Sequence, residues 1–234
     1  MKTLNQQYTL IVLIIVFQVF FSKPVIAQSN TDFQAWSAIE LKYKPNKKLS
    51  FGLEAQWRLK ENASITDQYF AELTSEYEIF DNFKLGVAIR FIRDNDTKGN
   101  IQGYENYIRV HLGVSYTHKI ERIKLKYRVR VQNKNELGVS KIEGDYNKQG
   151  IRFKINMEYN IRNWKLDPKI SGEIFHPFEK GESTSFNKYR ISFGTEYKLK
   201  GIGKINLYYR IENKINTEFP DTTNILELKF TYNL

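Results

Sequence analysis

The chain has 234 residues, with 36 lysines and arginines against 26 aspartates and glutamates, which gives a formal net charge of +10. It contains no cysteine, and this excludes disulfide bonds, cysteine metal sites and a lipoprotein anchor. Its 15 tyrosines and 16 phenylalanines against 5 prolines favour β-strands.

The first 27 residues have the pattern of a signal peptide. Lys2 supplies a positive charge, residues 10–21 form an apolar run too short to span a bilayer comfortably, and residues 25–27 resemble a cleavage site. We therefore expect residues 1–27 to be a cleaved signal peptide and residues 28–234 to form a single domain, the alternative being an uncleaved anchor. Export argues against nucleic acid as the partner of the excess positive charge.

Eleven segments then alternate apolar and polar residues with a period of two, the spacing that places successive side chains on opposite faces of a strand. Most are about 10 residues or longer, the length that a tilted membrane-spanning strand requires. The predicted strands are residues 33–43, 49–60, 68–79, 83–93, 105–118, 123–132, 151–161, 164–175, 188–197, 204–212 and 223–234.

The connections between these segments alternate between short and longer. Short periplasmic turns and longer extracellular loops are typical of outer-membrane barrels. The sequence therefore predicts an all-β fold, an antiparallel up-and-down transmembrane β-barrel of 10–12 strands in a Gram-negative outer membrane. The parity is left open, because eleven segments were found where an even number is usual. The short connections are residues 44–48, 80–82, 119–122, 162–163 and 198–203, and the longer ones are 61–67, 94–104, 133–150, 176–187 and 213–222.

One aromatic residue recurs on the outward face beside each predicted short turn. Membrane–water interfaces select rings at such a level, so we expect a periplasmic aromatic girdle in contact with outer-membrane lipids. The closing strand, apolar on one face up to Leu234, is typical of substrates of the barrel-insertion machinery. The girdle residues are Tyr43, Tyr77, Tyr116, Tyr159, Trp164, Tyr197 and Tyr232.

The inward face is strongly charged, and its basic residues cluster on one predicted wall of the lumen. Two interpretations remain open: ion-pair ladders that fill a narrow barrel, or a pore that prefers a small anionic solute, since walls of Arg and Lys select anions. The residues of this basic wall are Lys124, Lys126, Arg128, Arg130, Arg152, Lys154, Arg190 and Arg210.

No sequence motif predicts catalysis, a cofactor or a metal ion. Residues 94–105 come close to a calcium-binding loop, but Lys98 stands where a ligand belongs, which favours a polar hairpin loop. His111 could meet Ser115 or Ser171, as in a lipid-modifying acyl hydrolase, yet no Gly-x-Ser-x-Gly is present. We therefore assign no catalytic residue, and the hydrolase and a soluble periplasmic β-protein are the alternatives.

Short stretches along nearly the whole predicted domain resemble the outer-membrane β-barrel family filed as a domain of unknown function (number 2490). The resemblance implies an outer-membrane barrel, and it carries over no activity and no catalytic residue. We accordingly expect a non-enzymatic barrel, structural or forming a narrow pore with a basic wall. The residues that carry the resemblance are Trp36, Lys48-Leu49-Ser50 with Glu54 and Arg58, Tyr127-Arg128-Val129-Arg130, Pro168 with Gly172-Glu173-Ile174-Phe175, Tyr189-Arg190 with Gly194 and Tyr197, and residues 224–234.

Overall fold

The computed structural model describes residues 31–97, 102–139, 147–178 and 185–234, and these form eleven β-strands. The predicted signal peptide lies outside the described residues. Each predicted strand is found, because in every one of them the period-two alternation matches a wall with an apolar and a polar face. The strands are β1 Thr31–Tyr43, β2 Leu49–Lys60, β3 Ile65–Phe80, β4 Phe83–Asp96, β5 Gly103–Ile120, β6 Ile123–Glu136, β7 Lys148–Tyr159, β8 Leu166–Pro177, β9 Lys188–Leu199, β10 Gly203–Lys214 and β11 Thr222–Asn233.

The strands close into one barrel in which each pairs with its neighbours in sequence and β1 pairs with β11. The ten sequential pairs are antiparallel, whereas β1 and β11 run parallel from Thr31↔Thr222 to Lys42↔Asn233. An odd number of alternating strands makes the first and last run in the same direction, so closure requires a parallel seam. The predicted barrel of 10–12 strands is confirmed, and the number of strands is eleven. The parallel pair of β1 and β11 differs from the purely antiparallel arrangement that was predicted.

Most connections are shorter than predicted because the strands extend farther, and two of them depart from the predicted alternation of short turns and longer loops. The predicted loop 61–67 is a tight turn of residues 61–64, in which Glu61, Asn62 and Ala63 all adopt left-handed φ angles of 55–61°. Conversely, the predicted turn 162–163 extends over residues 160–165, where Asn163 turns the chain with a φ of 63°. Left-handed backbone is easiest for glycine and asparagine, and asparagine occupies two of these four positions.

The two faces of the wall differ in chemistry. Outward-facing leucines are largely exposed, among them Leu53 (50%), Leu73 (57%) and Leu112 (58%), whereas inward-facing Glu72 and Arg90 are buried. The closed hydrogen-bonded ring leaves no sheet edge unpaired. The described residues include no helix that is long and apolar enough to cross a membrane.

The predicted girdle residues lie near the end of the barrel that carries the short turns. Tyr77 is opposite Leu49 and Leu85, Tyr116 is opposite Phe83 and Tyr127, and Tyr232 is opposite Leu41. Six of the seven rings are exposed, and Tyr197 is partly buried. The six exposed rings are those of Tyr43, Tyr77, Tyr116, Tyr159, Tyr232 and Trp164, the last of which lies in the turn 160–165.

Candidate functional site

The lumen contains a cavity of about 450 Å³ to which all eleven strands contribute. Eleven basic side chains line it against six acidic ones, so the lining carries an excess of five positive charges. The basic residues are Arg58, Arg90, Arg109, Arg128, Arg130, Lys134, Arg152, Lys154, Lys188, Arg190 and Arg210, and the acidic ones are Glu54, Asp67, Glu72, Glu173, Glu212 and Glu227.

Six residues of the predicted basic wall line this cavity, and two do not. Lys124 and Lys126 lie nearer the short-turn end of β6; the Lys124 side chain is 45% exposed, with its Nζ 3.7 Å from Glu158 Oε2. The basic wall of the cavity therefore begins farther along β6 than the sequence suggested. The six lining residues are Arg128, Arg130, Arg152, Lys154, Arg190 and Arg210.

Lys134 and Lys188 also line the cavity, although neither was among the predicted wall residues. Lys134 had been assigned to a loop, but β6 continues to Glu136 and keeps Lys134 on the inward face. Its Nζ lies 3.3 Å from Asp94 Oδ2 on β4. The period-two alternation of charged residues beyond Gln132 was the available signal.

Half of the lumen wall carries paired charges. On β8–β11, β1 and β2 most inward basic side chains have a carboxylate within 4 Å, and several of these carboxylates are shared, whereas Arg58 on β2 contacts Gln56 and the Trp36 ring instead. Arg210 Nη2 lies 2.7 Å from Glu227 Oε2, and Arg190 donates to Glu212 through Nε at 2.8 Å and through Nη2. Lys229 on β11 reaches Glu40 at 2.9 Å on β1 and also Glu54 on β2, so it connects three strands across the parallel seam. We call this side of the lumen the paired arc.

The opposite side, on β4–β7, places basic residues directly beside one another. The register sets Arg90 against Arg109, Arg130 against Arg152, and Arg128 against Lys154. Like charges in directly opposed positions repel, and this destabilises a sheet. We call this side the basic arc.

Asp94 pairs with Lys134 at the long-loop end of the basic arc, and two further described carboxylates, Glu72 and Glu173, serve its arginines. Glu72 Oε2 lies 2.6 Å from Arg90 Nε and 3.8 Å from Arg109 Nη2. Glu173 Oε1 lies 3.2 Å from Arg128 Nη2, and its other oxygen lies 3.6 Å from Arg190 Nη1. Both carboxylates are buried and already shared, so they do not neutralise the whole arc.

Three guanidinium groups of the basic arc keep a buried donor without a partner. The Nε atoms of Arg109, Arg130 and Arg152 are shielded from solvent and make no hydrogen bond. In addition, no described carboxylate oxygen lies within 4.0 Å of a charged nitrogen of Arg130, Arg152 or Lys154, although Glu173 is directly opposite Lys154 in the register of β7 and β8. Buried donors and charges without protein partners carry a desolvation cost of several kcal/mol, so this arrangement is energetically expensive for the protein alone.

Aromatic rings inside the lumen offset part of that cost. The Arg58 guanidinium lies 3.7 Å above the Trp36 ring, and that of Arg90 lies 3.5 Å from the Phe70 ring. Arg152 lies 4.7 Å from the Phe175 ring. Such contacts contribute about 0.5–2 kcal/mol each. The period-two alternation places these rings on the inward face. They were not predicted there because only polar residues had been assigned to the lumen from the sequence.

The geometry does not assemble the Ser–His pair considered from the sequence. His111 is buried, with its Nδ1 3.9 Å from Glu72 Oε2 and no hydrogen bond to that nitrogen. Ser115 lies four residues along the same strand, about 13 Å away at the usual rise, and Ser171 lies on β8. Nor do the described residues contain a cluster of three or more acidic, His or Cys side chains that could hold a metal ion, and the calcium-like loop includes residues 98–101, which lie outside them.

Comparison with known proteins identifies a family. No curated protein matches the sequence. A porin of solved structure is similar, with 11% sequence identity and a TM-score of 0.37 over 76% of this chain and 56% of the porin. The chain thus spans little more than half the length of that porin. Residues 33–223 match a family without an assigned function, which confirms the resemblance noted from the sequence, and the chain belongs to that family, described as Protein of unknown function (DUF2490).

Proposed function

We propose that the protein is an outer-membrane β-barrel that forms a narrow, anion-preferring pore. The observation that carries this proposal is the basic arc, a continuous group of lysines and arginines that faces the central cavity without enough carboxylates to neutralise it. Rings and walls of Arg and Lys select anions in membrane pores. A barrel stabilised only by ion-pair ladders would instead match each inward cation with an anion.

The outer surface supports the membrane location. Its exposed leucines, isoleucines and valines would cost free energy in water, whereas hydrocarbon accepts them, and a closed barrel satisfies every strand edge without water. The exposed tyrosines and Trp164 near the short turns fit the periplasmic interface. With the short turns periplasmic, β1 begins at the outer side, and lipids and the insertion machinery would be the protein's partners.

Smaller spaces adjoin the central cavity on both sides. A space of about 240 Å³ shares Arg109, Lys134 and Arg152 with the cavity and extends toward the long loops. A space of about 60 Å³ shares Arg128 and Arg130 with it and extends toward Glu76. The narrow second space predicts a small conductance rather than the flow of a large porin.

Planar-bilayer recording in a potassium chloride gradient tests this function. We expect a small conductance whose reversal potential lies toward that of chloride. The double variant Arg130→Gln, Arg152→Gln should shift the reversal potential toward zero, and Lys198→Gln, whose side chain is 69% exposed, should leave it unchanged. Absence of current from correctly folded protein, or a preference for potassium, would contradict the proposal.

A further inference from the structure

We propose that the basic arc contains a binding site for a divalent tetrahedral oxyanion, formed by Arg130, Arg152 and Lys154. The inference deepens the proposed anion preference, because it names the class of anion that the lumen retains. It depends on the arrangement of these three side chains and on the space in front of them.

The three residues form a compact group on two adjacent strands. Arg130 on β6 and Arg152 on β7 are directly opposed, and Lys154 is the next inward residue of β7 after Arg152. Directly opposed Cβ atoms in an antiparallel pair lie about 5 Å apart, and inward neighbours on one strand lie about 7 Å apart. Long basic side chains at these distances can all reach one small ligand.

Two of the three residues have donors without an acceptor among the described residues. Arg128, which faces Lys154, is bound by Glu173, but the buried Nε atoms of Arg130 and Arg152 have no acceptor. A guanidinium group presents its donors as a planar fork that fits the oxygens of phosphate or sulfate in a bidentate manner. An oxyanion would supply the acceptors that these two arginines lack.

The space beside Arg130 is kept open by small residues. Gly113 on β5 is directly opposite Arg130, and Gly86 on β4 is opposite Gly113. Both glycines line the small space that extends from Arg130 toward the short-turn end. On the other flank, Phe175 lies against Arg152 and lines the cavity. The ligand site is therefore bounded by a ring on one side and by side-chain-free backbone on the other.

The charge of the site favours a divalent ligand over chloride. Glu173, directly opposite Lys154 on β8, is already shared between Arg128 and Arg190, so the three cationic side chains keep an excess of more than one positive charge. A single chloride would leave two of them uncompensated, and it has no oxygens to accept paired N–H donors. A phosphate or sulfate neutralises more charge and accepts several hydrogen bonds at once.

The test combines block of current with direct binding. Inorganic phosphate, sulfate and glycerol phosphate are titrated separately into chloride at constant ionic strength, both on bilayers containing the protein and on the detergent-solubilised protein in a thermal unfolding assay. We expect saturable block and a raised unfolding temperature with the inorganic ions, and loss of one charge-assisted interaction in Arg152→Gln should weaken apparent affinity by at least about tenfold. Glycerol phosphate shows whether a monoester, rather than the free ion, is also accepted.

Lys124→Gln is the matched control, because Lys124 is on β6 but outside the cavity. Its phosphate affinity should equal that of the wild type, and Lys154→Gln should behave like Arg152→Gln. Conduction without phosphate block or stabilisation would overturn the site and leave the pore. Stabilisation by phosphate that depends on Arg152, in a barrel that does not conduct, would uphold the site and overturn the pore. Equal effects of phosphate on wild type and on Arg152→Gln would also overturn the site.

Discussion

Replacing one arginine on each side of the lumen should change stability in opposite directions. Arg152 belongs to the basic arc and faces Arg130, whereas Arg190 belongs to the paired arc and binds Glu212 and Glu173. Substitution by glutamine keeps similar length and polarity and removes the charge. Arg152→Gln and Arg190→Gln therefore form a matched pair in which only the electrostatic surroundings differ.

The expected magnitudes follow from the contacts. Two unit charges about 6 Å apart repel by about 3 kcal/mol at an effective dielectric constant of about 20, so removing one relieves repulsion of that order. Arg152→Gln also loses the contact with the Phe175 ring and the attraction to Glu173, which together oppose this gain by about 2 kcal/mol and leave the variant more stable by about 1 kcal/mol. Arg190→Gln removes two donors from Glu212, which keeps Lys188 Nζ at 2.8 Å, and one contact of Glu173, so it should cost about 2 kcal/mol, the range for lost hydrogen bonds to charged groups.

Urea unfolding of the barrel in lipid vesicles, in buffer without phosphate or sulfate, measures both changes. Tryptophan fluorescence reports the transition, since Trp36 lies in the lumen against Arg58. Migration of unheated samples on a gel confirms that each variant has folded. Destabilisation by both variants to a similar extent would refute the division of the lumen into a basic and a paired arc.

Three further outcomes are expected. Gly194→Ala should lower the free energy of unfolding by about 1–3 kcal/mol, because a Cβ there would meet the Tyr208 ring. Gly172→Ala should change it little, because a Cβ at that position meets nothing within 4 Å. Equal effects of the two substitutions would contradict the packing described. Lys229→Gln should lower the temperature at which the folded band disappears from gels, because Glu40 and Glu54 lose a shared partner at the seam. Substitution of the exposed Lys198 by glutamine should leave that temperature unchanged. An unchanged temperature for Lys229→Gln would show that the seam does not need this contact. Phospholipid vesicles containing the protein should show no hydrolysis above background, and hydrolysis that disappears in His111→Ala would restore the hydrolase alternative.

The strands could be predicted from the sequence because each has one apolar and one polar face, so the local alternation carries the signal. The parallel seam could not, because Thr31 and Thr222 are far apart in the sequence and nothing local indicates their pairing. The end of β6 was missed for a different reason. Residues 132–136 are polar on both faces, so the alternation of apolar with polar residues is lost, and only the charges of Lys134 and Glu136 keep the period of two.

The candidate site shows the same division. Inward Arg130 and Arg152 follow from parity along single strands, but their direct opposition depends on the register between β6 and β7. Their lack of partners depends on Glu173 being committed to Arg128 and Arg190. The inward position of Trp36 and Phe175 could also be predicted from the alternation along their strands, although aromatic residues are more often expected on the lipid face. The sequence therefore indicated a basic lumen. The pairing between strands in the structure shows which basic residues lack carboxylate partners.

Quenching by lipids brominated along their acyl chains tests most directly which face of the wall meets hydrocarbon. Trp57 is 50% exposed on the outer surface and Trp36 is 6% exposed inside the lumen, so variants that keep only one of them, with phenylalanine at the other tryptophan positions, separate the two faces. Brominated lipid should quench Trp57 strongly and leave Trp36 nearly unchanged. Strong quenching of Trp36, or none of Trp57 in the folded protein, would contradict a barrel with its apolar face in the membrane and its charges inside.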